Sequence, residues 1–177
     1  FENFTSETNQ LSHNIVNSLF IDRSENLWAG TLQGISKTDL KKHKFNLYRR
    51  SDSPYSVDLL GNVIASIYKD EEGILWIGNW GQGLNLFDRR TGRVEHFSTR
   101  LNGNHHLTND FVHVVFGDYD RRIWIGTRDG IFIFDREKHR FLRMNEYFKN
   151  NRLLDFRGVR IFMIIQDRDG NYWIGTQ

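Results

Sequence analysis

Apolar residues in this chain come in short runs divided by polar turns, and the same order of runs keeps returning. One block shows it most clearly: LFIDRSENLWAGT (19–31), IYKDEEGILWIGN (67–79), VFGDYDRRIWIGT (115–127) and IIQDRDGNYWIGT (164–176). Each block holds one Trp (Trp28, Trp76, Trp124, Trp173), and these are spaced 48, 48 and 49 residues apart. An Asp stands six positions before each Trp (Asp22, Asp70, Asp118, Asp167) and a Gly two positions after it (Gly30, Gly78, Gly126, Gly175). The register reaches upstream to Val16, Ile64, Val112 and Ile161, and further to Leu11, Leu59, Leu107 and Phe156. Downstream it takes in a second Gly (Gly34, Gly83, Gly130), an Asp (Asp39, Asp88, Asp135) and then Phe45, Val94 and Phe141. A one-residue insertion at Trp80-Gly81-Gln82 marks the second copy. Self-similarity at a fixed period of this length is the mark of a repeat architecture.

Each repeat predicts four short strands. The first is the apolar run before the Asp (IVNSLFI, VIASIY, FVHVVF, VRIFMII). Turn residues such as DEEG and DRDGN follow, so the first two strands form a hairpin, with the Asp accepting backbone N–H bonds in its turn. The WIG-type run is the second strand, GISKTD, GLNLFD or GIFIFD the third, and HKFNLYR, RVEHFST or HRFLRM the fourth. No segment sustains a helical period. Consecutive apolar positions in WIG and FIF need cover on both faces, which neighbouring copies supply. The expectation is therefore all-β: a β-propeller fragment of four-stranded antiparallel blades, about 48 residues per repeat. Each Trp is expected between blades, and the Gly after it is expected to leave room for a neighbouring ring or backbone. A parallel β-helix fits less well, because its rungs are usually shorter.

The predicted organisation is a last strand of a preceding blade at 1–7, blades at 8–57, 58–106 and 107–155, and the first two strands of a further blade at 156–177. Such a layout leaves open edges, which invite pairing. The sequence therefore predicts a fragment that closes its ring by self-association, as a homodimer. A piece of a longer propeller and a tight four-bladed ring are the alternatives.

Composition narrows the function. The 177 residues include no Cys, which excludes disulfide and thiolate chemistry. A formal net charge of +2 is too weak to argue for nucleic acid. No apolar run reaches the roughly 18 residues of a membrane span, so membrane attachment would need flanking segments. No Ser–His–Asp order, metal-ligand spacing or phosphate-binding Gly loop is present, and no cofactor or metal is expected.

The block of branched apolar residue, Asp, W-[IA]-G-[TN] and G-[IL], running from Leu11 to Thr176, resembles the two-component regulator propeller repeat. That resemblance implies the periplasmic sensor region of a hybrid two-component system, a sensor histidine kinase joined to a response regulator. It implies that the region senses oligosaccharides, and that any kinase activity lies in a part of the protein not present here. It also implies a ring of about seven blades, roughly twice this length. A protein–protein interaction scaffold is the alternative function, and a propeller glycan lyase or hydrolase a third.

In a meandering blade, the second-to-third and fourth-to-first connections share one face of the disc. That face carries Gln33, Asn79, Trp80, Gln82, Arg128 and Asp129, the candidate ligand-binding residues, beside the longer loops at 50–58, 98–106 and 144–155. Trp80 stands out as the one Trp outside the repeat register. Sugars stack on aromatic faces, although Trp80 would serve equally as cover for a blade edge. His105-His106 lacks a third ligand for a metal. On the opposite face KKHK (41–44), RRTGR (89–93) and REKHR (136–140) form a basic rim or a solvated surface, and DRDGN (167–171) reads as a turn rather than a calcium loop. The recurring Asp, Trp and Gly residues are assigned structural roles.

Overall fold

The computed structural model describes residues 11–39, 44–48, 58–101, 107–149 and 151–177. Residues 1–7, residues 41–43 of the KKHK turn, His105-His106 and most of the 50–58 loop, all singled out above, lie outside the described residues. Polar turns cut the remainder into short strands. The first sheet holds β1 (Val16–Ile21), β2 (Asn26–Thr31), β3 (Gly34–Asp39) and β4 (Lys44–Tyr48). The second holds β5 (Ile64–Lys69), β6 (Ile74–Asn79), β7 (Gly83–Asp88) and β8 (Val94–Phe97). The third holds β9 (Val112–Gly117), β10 (Ile123–Thr127), β11 (Gly130–Asp135) and β12 (Arg140–Arg143). Strands β13 (Ile161–Gln166) and β14 (Tyr172–Thr176) pair as a two-stranded sheet. Every sheet is an antiparallel meander in sequence order.

The sheets stack face to face and radiate from their first strands, with β1 beside β5, β5 beside β9 and β9 beside β13. The core is therefore divided into layers between sheets. Trp28 packs with Ile64, Ile67 and Leu75 of the next sheet, Trp76 with Val115 and Ile123, and Trp124 with Ile161 and Ile164. All three indoles are buried, while Trp173 on the outer side of the last sheet is 61% exposed. The strands that read as apolar at consecutive positions, β6, β7, β10 and β11, are buried on both faces. This is the all-β propeller architecture the repeat predicts.

Two local expectations are refined. The Gly after Trp28, Trp76 and Trp124 makes room for a branched aliphatic side chain of the next blade rather than a ring. A Cβ on Gly30 would come within 2.7 Å of Ile64 Cγ2, and one on Gly126 within 2.7 Å of Ile161 Cγ2. Ile64, Val112 and Ile161, which open the first strands of their sheets, therefore fit against the Gly of the preceding blade. The 144–155 connection also contains a helical turn, α1 (Met144–Tyr147), and a 3-10 turn at Arg152–Leu154. The Arg143 backbone N–H donates to the Glu146 carboxylate at 3.3 Å, closing one end of α1. Four residues are too few to show a helical period in sequence.

A further feature recurs in all four repeats. Each first strand slips register by one residue against its partner, and the extra residue is Asn17, Ala65, His113 or Phe162. These are β-bulges, which re-aim one side chain out of the sheet pattern.

Candidate functional site

The four bulge residues converge. Asn17, Ala65, His113 and Phe162 line one cleft of about 520 Å³, together with Leu32, Val63 and Trp80. A second set of equivalent positions adjoins them, of which Leu32 and Trp80 line the cleft. The backbone N–H groups of Leu32, Trp80, Arg128 and Gln177 donate to the carbonyls of Ile15, Val63, Phe111 and Arg160, respectively. These four residues therefore occupy one equivalent slot, the first after the second strand. Trp80 is not itself the inserted residue: it fills the slot of Leu32 and Arg128, and the extra residue follows it. Gly81, at φ +81°, closes that longer turn, and a Cβ on it would sit 3.2 Å from the Phe111 ring.

Trp80 is held by the neighbouring blade. It bridges to Phe111, meets that ring edge-on at 6.2 Å, and stacks on His113 at 4.8 Å. His113 in turn stacks on Phe162, at 4.8 Å with rings 2° from parallel. A ladder of three rings thus crosses from the second blade to the fourth. Trp80 nevertheless keeps 44% of its surface exposed. Burial pushes the His113 imidazole below its ordinary pKa; its bond to the Ile161 carbonyl opposes this, and the charges of Arg128 and Arg160 add to the depression. A neutral ring that donates from Nδ1 to Ile161, at 3.0 Å, presents Nε2 as an acceptor.

The other predicted site residues have different surroundings. Asn79 is fully buried; its amide donates to the Gly61 carbonyl at 2.9 Å and is bonded to Asn85, so it belongs to the scaffold under the loop. Gln82 accepts from Arg100 at 3.3 Å at the rim. Gln33 is exposed, and its neighbour Leu32, not Gln33, lines the cleft. Asp129 turns to Arg143 (2.6 Å), Thr108 (3.0 Å) and the Gly158 N–H (2.9 Å). Burial works to raise its pKa, but those bonds hold it below the usual carboxylate range. Arg128 alone of the candidates joins Trp80, its guanidinium 3.6 Å from the Phe111 centroid and 5.5 Å from that of Trp80. The Thr127 hydroxyl fixes this turn by donating to the Gly130 carbonyl and accepting from the Asp129 N–H.

Among the described residues, the opposite face carries ion pairs that join neighbouring blades. The Asp of each hairpin accepts turn N–H groups and the indole N–H of its own Trp, at 3.1 Å for Asp22, 2.8 Å for Asp70 and Asp118, and 2.9 Å for Asp167. The next blade then closes over the pair: Arg89 binds Asp22 at 3.0 Å and lies over Trp28, and Arg136 binds Asp70 at 3.3 Å. At the third junction Tyr172 donates to Asp118 at 2.8 Å and stacks on Trp124. Burial, then the Asp118 charge, push the Tyr172 phenol up to about 12. Of the arginines in the RRTGR and REKHR turns, Arg89, Arg90 and Arg136 are answered by carboxylates, Arg136 also reaching Glu72 and His139 reaching Glu95, while the Arg140 Nε is buried without a partner. The Asp167 turn spends its oxygens on Asp169, Asn171 and Trp173.

Sequence reasoning missed His113 and Phe162. Their signal was present, however: the position after Val16, Ile64, Val112 and Ile161 changes type in every copy while the residue before it stays β-branched.

Radiating antiparallel sheets with a shared axial cleft define the class: a β-propeller segment with a candidate ligand site at its axis. The two component regulator propeller family model matches residues 10–33, 58–81 and 155–177, so three of the repeat segments are similar to that family's. The chain is 29% identical over 88% of its length to histidine kinase P4 of Formosa agariphila, and spans 11% of that protein. Among solved structures it resembles the extracellular domain of the hybrid two component system BT3049 of B. thetaiotaomicron. There the TM-score is 0.75 and the identity 28%, covering 98% of this chain and 21% of the other. The extracellular domain of BT4673 from the same organism matches with a TM-score of 0.66 and 29% identity, over 91% of this chain and 22% of that one. A streptogramin B lyase, at 14% identity and TM-score 0.57, shares the fold alone. Among the described residues no helix is long and apolar enough to cross a membrane.

Proposed function

We propose that the chain is part of a periplasmic sensor propeller of a hybrid two-component signalling protein, that its ligand is an oligosaccharide, and that it performs no catalysis itself. The observation that carries the ligand is Trp80: a half-exposed indole, clamped by the next blade, at a cleft into which each blade aims one bulge residue. A rigid aromatic face at low entropic cost suits the C–H face of a sugar ring. Likeness to the extracellular domain of the hybrid two component system BT3049 supports the placement and the signalling role, and the name of the Formosa agariphila relative supports a kinase elsewhere in the protein. On a glycan array with product analysis, binding without turnover is expected. Trp80→Ala should weaken that binding by about thirtyfold, roughly the 2 kcal/mol of an anchoring aromatic. Tyr119→Ala, exposed on the opposite face, should not. Parent-like binding by Trp80→Ala would move the site elsewhere, and glycan cleavage would favour the enzyme reading.

A second proposal concerns partners. The two outermost sheets expose apolar side chains, Leu19 and Ile21 on β1 and Met163, Ile165 and Trp173 on β13 and β14. Contiguous apolar surface of this kind marks association. Two copies meeting head to tail as a homodimer would cover both faces. Light scattering of the isolated chain is expected to give a dimer, and a stable monomer removes this proposal.

A further inference from the structure

We infer that the axial cleft selects an acidic saccharide, with a hydroxyl donating to His113 inside it and the anionic group on Arg128, which stands beside the cleft-lining Trp80 rather than in the lining itself. This rests on the saccharide reading above and adds the charge of the ligand. The Arg128 guanidinium is packed over Phe111, 3.6 Å from its ring centroid, and 5.5 Å from that of Trp80. Its Nε is buried without a hydrogen-bond partner, and no carboxylate among the described residues pairs with it. Arg89, Arg136 and Arg143 show the contrast, since each is answered by an Asp. Asp129, next in sequence, faces Arg143 instead, and the residues lining the cleft include no Asp or Glu. Arg160 adds a second positive charge near His113.

A planar, unanswered guanidinium is a site for a carboxylate or sulfate. His113 supplies the second condition. Its side chain is 7% exposed, and Nε2 has no partner while Nδ1 is committed to Ile161. A neutral imidazole with a free acceptor calls for an O–H donor, not a second anion. An anionic group and a hydroxyl on one stackable ring describe a uronic acid or a sulfated sugar.

The test is calorimetry on the intact protein with matched pairs of disaccharides. Uronate disaccharides are set against their carboxyl-reduced counterparts, and sulfated ones against their desulfated counterparts. The acidic member of a pair is expected to bind roughly ten- to hundredfold tighter, the range of a charge-assisted hydrogen bond, with affinity falling as salt rises. Whichever pair shows the larger ratio identifies the anionic group as carboxylate or sulfate. Arg128→Gln should abolish the ratio between the acidic and neutral members of a pair, while Arg128→Lys retains part of it. The parent comparison needs no variant, so a misfolded Arg128→Gln does not remove the test. Equal binding within both pairs overturns the charge inference and leaves the saccharide reading standing. Binding of no member of either pair overturns both.

Discussion

Replacing Trp76 by alanine is expected to destabilise the chain by roughly 3–5 kcal/mol, whereas Trp80→Ala should cost no more than about 1 kcal/mol. Both are tryptophans four residues apart on one blade, so the contrast isolates position from chemistry. Trp76 is 1% exposed. It lies in the layer shared by the second and third sheets, 5.0 Å from the Phe134 ring, with its N–H on Asp70. Its removal leaves a cavity that two rigid sheets cannot collapse to fill, and it leaves Asp70 Oδ2 with Arg136 alone. Trp80 packs one blade loop against His113 and Phe111 and is otherwise open. Chemical denaturation of the two variants beside the parent measures both values. A Trp80→Ala loss as large as that of Trp76→Ala would make Trp80 a core residue and remove the rationale for the site.

That contrast was half visible in the sequence. The Asp, Trp and Gly spacing in Asp70, Trp76 and Gly78 reports the core because burial between copies imposes the same residue type at the same place each time. The strands, their antiparallel order and the inter-blade indoles follow from it. The clasp of Arg89 and Arg136 did not, although both follow the Asp that ends a third strand. Read alone, RRTGR and REKHR are basic turns. What makes these arginines structural is the preceding blade's Asp22 and Asp70, a tertiary neighbour that no local pattern shows.

The site was less legible, for a related reason. A bulge selects a backbone path and leaves the side chain free, so Asn17, Ala65, His113 and Phe162 share no chemistry that composition or periodicity could detect. Loop variability pointed to Trp80 and Arg128. It pointed equally to Asn79, whose amide is consumed beneath the loop, and to Asp129, consumed by Arg143. Only placement separates a polar side chain that holds a turn from one left to meet a ligand.

Asp22→Ala is expected to cost roughly 3–5 kcal/mol, the effect of removing one partner from a buried charge network. The carboxylate accepts from the Ser24 and Asn26 N–H groups, the Asn26 amide, the Trp28 indole and Arg89. Alanine leaves the indole and the Asn26 donors unpaired in a dry layer and frees Arg89 to swing off Trp28. Asp22→Asn keeps an acceptor oxygen but not the charge that holds Arg89, so its cost should fall between parent and alanine. The pH dependence follows from the same bonds. Burial acts to raise the Asp22 pKa, but the Trp28, Asn26 and Ser24 hydrogen bonds outweigh it and hold it well below the usual carboxylate range. A folded value below the unfolded one means the stabilisation is fully present above about pH 4 and is lost as pH falls toward the folded value. Asp118 is shifted in the same direction, with Trp124, the Arg122 N–H and Tyr172 outweighing its burial. Stability measured by denaturant at pH 7 and at stepwise lower pH should therefore fall below about pH 4, and fall less steeply in Asp22→Asn. An Asp22→Asn chain as stable as the parent at pH 7, with an unchanged acid slope, would show that the Asp is a turn residue alone and that the inter-blade clasp contributes nothing.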